Sequence, residues 1–72
     1  MNDIARLLGK RIKLIRIEKD LLQSDLAQLT GRDPSYLGRI ERGEVNIRIE
    51  TLVTIATALD IKPSEIFKKI DL

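Results

Sequence analysis

Ser35, Arg39 and Arg42 follow one another at intervals of four and three residues. That spacing places three side chains on one face of a helix. A hydroxyl and two guanidinium forks on one face can hydrogen-bond to base edges and to phosphate oxygens. Leu37 and Ile40 fall on the opposite face, so the same helix has an apolar back. Gly38 lies at the edge of the polar face. It costs about 1 kcal/mol of helix propensity, which is tolerable where close approach to DNA or backbone requires a missing side chain. The carboxylates Asp25, Asp33, Glu41 and Glu44 could suggest acid–base work. None is joined by a base, a metal-ligand set or a glycine-rich phosphate loop, and each is explained as a cap, a bridge or a solvated charge. The chain has no cysteine and no histidine, which excludes disulfides, thiol nucleophiles and zinc sites of the usual kind. The expectation is therefore a binding protein that is not an enzyme and needs no cofactor.

Two short helices must position this face. The stretch LLQSDLAQLTGRDPSYLGRIERG, from Leu21 to Gly43, predicts a helix over Gln23–Thr30 and a second over Pro34–Arg42. Gly31 can take the left-handed conformation that stops the first. Asp33 can cap the second, and Pro34 fits its first position, where no N–H is needed. So few residues lie between the helices that they must cross steeply. This is a helix-turn-helix, with the second helix suited to a DNA major groove.

The remaining elements supply the scaffold. Helix 1 is predicted over Asp3–Lys19, with Asn2 or Asp3 as its cap and Ile4, Ala5, Leu8, Ile12 and Ile15 on its core face. Lys10, Arg11, Lys13, Arg16 and Lys19 suit the negative end of the helix dipole; the run is either a solvated face or a face near phosphates. Leu7, Leu14 and Ile17 form an opposite apolar stripe that this core does not use. Asp20 stands where a helix-ending glycine would be more comfortable. In the second helix Leu26, Ala27 and Leu29 are expected to be buried. Helix 4 is predicted over Ile49–Leu59, with Ile49, Leu52, Ile55, Ala56 and Leu59 inward. Pro63 and Glu65 start a fifth helix whose apolar side carries Ile66, Phe67 and Ile70. Nothing reads as a strand, and no repeat or linker divides residues 1–72, so the fold class expected is all-α, five helices in one domain.

A single domain of 72 residues buries only about 60% of the surface its unfolded chain exposes. It needs an efficient helical core or a partner subunit. The net charge is only +2, with a pI near 9.2, so binding to nucleic acid must depend on where the charges sit. Asp3 and Arg6 interrupt any signal-peptide pattern, and no apolar run approaches the roughly 20 residues of a membrane span. A cytoplasmic protein with no membrane association is expected.

The segments LLQSDLA, YLGRIERGE, Thr51-Leu52 to Ala58-Leu59, and Glu65-Ile66-Phe67 resemble the Xre family of phage-repressor-like DNA-binding domains over nearly the whole chain. SYLGRIERGEVN and ATALDIKPSEIF look most like the controller proteins of restriction-modification systems. The resemblance implies a role for each matching position. Ser35 and Arg39 would read bases. Gln23 would grip the DNA backbone and support the third helix. Tyr36, Arg42 and Asn46 would touch phosphates, and Arg16 and Glu41 would pair between helices 1 and 3. The chain also departs from the pattern. Leu22, Arg48 and Lys62 replace the usual caps of helices 2, 4 and 5. Pro34 silences one readout position, and Arg32 adds a charge in the turn. Arg32 and Arg48 are accordingly counted with the backbone contacts.

These readings imply a sequence-specific transcriptional regulator, homodimeric on a palindromic operator in double-stranded DNA, with no sensor domain and no small-molecule ligand. Family dimers use the C-terminal part of the domain. Phe67 is expected to go to the core, leaving Ile47, Ile66 and Ile70 as the self-complementary patch, with Leu72 as an addition. The alternative is an antitoxin or partner-binding module working through Leu7, Leu14 and Ile17.

Overall fold

A computed structural model describes residues 3–68 and 70. Five α-helices follow in order: α1 Asp3–Glu18, α2 Gln23–Thr30, α3 Pro34–Glu41, α4 Ile49–Ala58 and α5 Pro63–Phe67. No strand occurs among the described residues. Helix α3 packs between α1 and α2, α4 rests on α2, and α5 closes the bundle against α1 and α4. Ile12, Leu26, Leu37, Ile55, Leu59 and Ile66 are its largest fully buried side chains.

The helix boundaries follow from local chemistry. Gly31 ends α2 at φ 68°, and the N–H of Arg32 returns to the Ala27 carbonyl at 2.9 Å. Asp20 and Asp60 end α1 and α4 in the same left-handed region, at φ 59° and 58°. An aspartate accepts that conformation less readily than glycine does. The missing side-chain caps at Leu22, Arg48 and Lys62 are confirmed, since none makes a cap hydrogen bond. At α2 the other half of a capping arrangement remains: Asp25 accepts from the Leu22 N–H at 2.8 Å. The proposed Asn2 cap of α1 lies outside the described residues.

Four assignments of apolar side chains to the core are corrected. Ile49 is 72% exposed and Ile4 is also exposed. Both have the right helical phase but stand in the first turn of their helices, where they are left uncovered; Ile4 borders an open cleft with Asn46 and Ile47. Leu29 is exposed because Leu26, Ala27 and Thr30 define the inward face of α2, and Leu29 lies well to its side. Phe67 is 41% exposed, whereas Ile66 is 0% exposed. The core therefore takes Ile66 in place of Phe67, and Ile66 is removed from any surface patch.

Two glycines set how closely α1 approaches α3. A Cβ on Gly9 would overlap the Ile40 carbonyl oxygen and sit 2.8 Å from that of Glu41. A Cβ on Gly43, which has φ 75°, would lie 2.6 Å from the Arg6 backbone. The end of α3 is thus pressed directly against the backbone of α1.

Candidate nucleic-acid interface

Helix α3 presents its polar face as a rigid unit because Glu41 is fixed at its last position. Arg16 from α1 forms a two-pronged ion pair with it, Nε to Oε2 at 2.7 Å and Nη2 to Oε1 at 3.1 Å. The two side chains are only 9% and 2% exposed. The third guanidinium nitrogen, Nη1, donates to the Leu21 carbonyl at 2.7 Å, just ahead of α2. Gln23, the first residue of α2, donates from Nε2 to Glu41 Oε1 at 2.8 Å. One carboxylate therefore ties together three helices. Burial leaves no water to compensate either charge, so the fork geometry and the extra donors are what make the pair tolerable.

Gly38 belongs to the same arrangement. A Cβ there would come 3.1 Å from Arg42 Nη1 and 3.4 Å from Gln23 Oε1. The nearest neighbours of that position are thus the ends of two flexible polar side chains, which a small shift would clear.

The outer face carries Ser35 and Arg39, both exposed. Asp33 Oδ1 accepts from the Ser35 N–H at 2.9 Å, which is the helix cap, and from the Ser35 hydroxyl at 2.8 Å. These two bonds, the backbone one first, hold the Asp33 carboxyl below its usual range. Arg42 ends the helix, and its Nε donates to Glu44 Oε2 at 2.7 Å in an exposed pair. That hydrogen bond lowers the Glu44 carboxyl, with smaller contributions from the charges of Arg42 and Arg39.

Around this face Arg32, Asn46 and Arg48 are exposed, and Tyr36 is half-buried against the core. Arg6, Lys10 and Lys13 of α1 line an open cleft of about 590 Å³ with Arg42 at its edge. The basic run of α1 does not form one face. Lys10, Lys13 and Lys19 are exposed, Arg16 turns inward to Glu41, and Arg11 is half-buried with Nη2 donating to the Glu65 carbonyl at 3.1 Å.

The C-terminal patch is also rearranged. Ile47 and Ile70 are half-buried against the core, and Ile66 is lost to it. Leu72 lies outside the described residues. Leu7 and Leu14 line one groove of about 220 Å³ with Ile70, Lys10 and Arg11. Ile70 therefore brings the expected dimer patch up against the Leu7–Leu14 stripe. Sequence reasoning missed Glu44 as the partner of Arg42, Gly9 as the crossing point and Arg11 as the tie to α5. An isolated glycine inside the strongly helical pattern of α1 was the available signal for Gly9.

The helix-turn-helix family profile matches residues 12–66. Control protein C.MunI from Mycoplasma sp is 38% identical over 72 residues, covering 99% of this chain and 97% of that one. The restriction-modification controller protein C.AhdI from Aeromonas hydrophila has a crystal structure that superposes with a TM-score of 0.89 at 41% identity, over 92% of this chain and all of that one. The controller protein C.Esp1396I, solved as a tetramer with its natural 35 base-pair operator, gives 0.87 at 31% identity, over 94% and 90% of the two chains. With α2 and α3 packed together across a short turn and this match, the chain belongs to the helix-turn-helix family of transcriptional regulators, and the relatives it matches over nearly their full length include restriction-modification control proteins.

Proposed function

We propose that this protein is a controller-type regulator that binds an operator as a homodimer, with Ser35 and Arg39 reading bases. Gln23, Arg32, Tyr36, Arg42, Asn46 and Arg48 contact the backbone. The observation that carries the reading is the locked α3: an exposed Ser35–Arg39 face held to α1 and α2 through Glu41. One such helix offers few base readers, too few to select one site in a genome, so two copies are required. Two-fold symmetry then places half-sites about 10 base pairs apart, on one side of the duplex. Phosphate contacts supply affinity without sequence information, and the arginines around the face serve that purpose. Selection of bound sequences from a random DNA pool tests this directly. A two-fold symmetric motif supports the proposal; enrichment of no sequence, or of an asymmetric site bound by one copy, refutes it.

The dimer patch we favour is Ile47, Phe67 and Ile70, with Phe67 taking the place of Ile66. At Ile70 it meets Leu7 and Leu14, which line a groove with that residue. The partner-binding reading would use this same surface. Capture of a different chain at it, with the pure protein monomeric at tens of micromolar, would favour that reading instead.

A further inference from the structure

We infer that Ser35 reads its base as a hydrogen-bond acceptor only, and therefore selects an exocyclic amine, the N4 of cytosine or the N6 of adenine, on the strand it faces. The inference rests on the proposed role of Ser35 as a base reader and deepens it.

A serine hydroxyl has one proton and two acceptor lone pairs. Free in a groove, it rotates to suit any base edge and carries little information. Here the proton is committed: Ser35 Oγ donates to Asp33 Oδ1 at 2.8 Å. A hydrogen bond to a carboxylate is roughly twice as strong as one between neutral groups, so a carbonyl on a base does not compete well for that proton. The same oxygen of Asp33 also caps α3 through the Ser35 N–H at 2.9 Å, which holds the carboxylate in place. Both residues are exposed at the start of the helix, so the Ser35 oxygen stays open to an outside donor. The second oxygen of Asp33 adds a further acceptor beside them.

In the major groove only the amines of cytosine and adenine donate; guanine and thymine present acceptors there. A keto base opposite Ser35 would set acceptor against acceptor. Arg39 is the complement, a donor-only side chain one turn further along, about 6 Å by helical rise. The face therefore has an acceptor end and a donor end. A half-site should hold a guanine opposite Arg39 and, within about two base pairs, an adenine or cytosine opposite Ser35.

The test uses the full chain and its selected operator, with base analogues that delete only the amine: purine for adenine, or 2-pyrimidinone for cytosine. At the Ser35 position the deletion should weaken wild-type binding about tenfold, the scale of one mismatched pair. Ser35→Ala should bind more weakly and become indifferent to the deletion. Asp33→Gly frees the hydroxyl at little capping cost and should accept keto and amino bases nearly equally. In both variants the guanine preference that Arg39 confers should persist, which also shows that α3 still folds and docks. Indifference of the wild type to amine deletion throughout the half-site overturns the inference, and so does a keto preference that Ser35→Ala abolishes. If Arg39→Ala changes the selected motif and Ser35→Ala does not, the acceptor inference fails together with Ser35's place among the base readers, while operator binding as a homodimer through Arg39 stands. If no motif is selected at all, both fail.

Discussion

Arg39 lies within α3 and Arg42 caps its end, and the expected effects of the two arginines diverge. Arg39→Ala should lose about 1–3 kcal/mol on the operator and far less on random DNA, because a two-pronged contact to guanine is what it removes. Arg42→Ala and Gln23→Ala should weaken both DNAs more evenly, as measured by anisotropy titrations on the two duplexes. Equal losses for Arg39→Ala would exclude it as a base reader. Glu44 adds a constraint on Arg42 that the sequence did not reveal. Its carboxylate holds the guanidinium at 2.7 Å and itself repels phosphate. Glu44→Gln should therefore raise affinity for random DNA and steepen its salt dependence. Its folded pKa is lowered, so the ion pair is present above the unfolded value of about 4.3 and is lost only as pH falls through the lowered one. Binding should consequently show no dependence on this group between about pH 6 and 8. The Arg42–Glu44 pair was not legible beforehand, because two exposed charges two residues apart can pair with anything nearby.

At the level of the helices, the decisive contacts are those between α1 and α3. Glu41→Gln and Arg16→Met should each cost about 3 kcal/mol in thermal or denaturant melts, since each strands a partner that is almost wholly buried. The double variant should cost clearly less than the sum; additive losses would show that the pair does not act as a unit. Gly9→Ala should be at least as damaging as a typical overpacked core substitution, about 1–3 kcal/mol, because the added carbon meets backbone oxygens that cannot rotate away. By contrast, Asp60→Gly relieves a left-handed aspartate and should raise stability by about 0.5–1 kcal/mol. All five helices were legible from periodicity and capping chemistry, with boundaries off by a residue or so at α1, α3 and α4, while α5 ends at Phe67 and leaves Ile70 outside the helix that was expected to carry it. Periodicity gives the phase of a side chain but not whether a neighbour reaches it. That is why Ile4 and Ile49 were placed inward, and why Ile66 and Phe67 were assigned the wrong way round. The turn that joins the two reading helices was legible for a different reason: Gly31, Asp33 and Pro34 each admit few conformations.

For the whole molecule, the open question is which copies meet and where. Leu7, Leu14 and Ile70 share a groove, so a charge at either end should disturb the same surface. Sedimentation equilibrium of Ile70→Asp and Leu14→Asp should show both weakening the dimer, Ile70→Asp more. A monomeric Leu14→Asp beside a fully dimeric Ile70→Asp would move the interface onto α1. The paired surfaces could not be read from sequence because their residues are more than fifty positions apart and meet only once α5 docks on α1.

The three-way junction at Glu41 has a kinetic consequence. Because α3 is bolted to α1 and α2 through one buried carboxylate, its amides have no private route to solvent and should exchange hydrogen only when the whole domain opens. The reading helix is thus finished before it meets DNA. Encounter requires no ordering of α3, and the on-rate is left to diffusion and charge steering. For the homodimer proposed above, the response to its own concentration would be as fast as copies can pair.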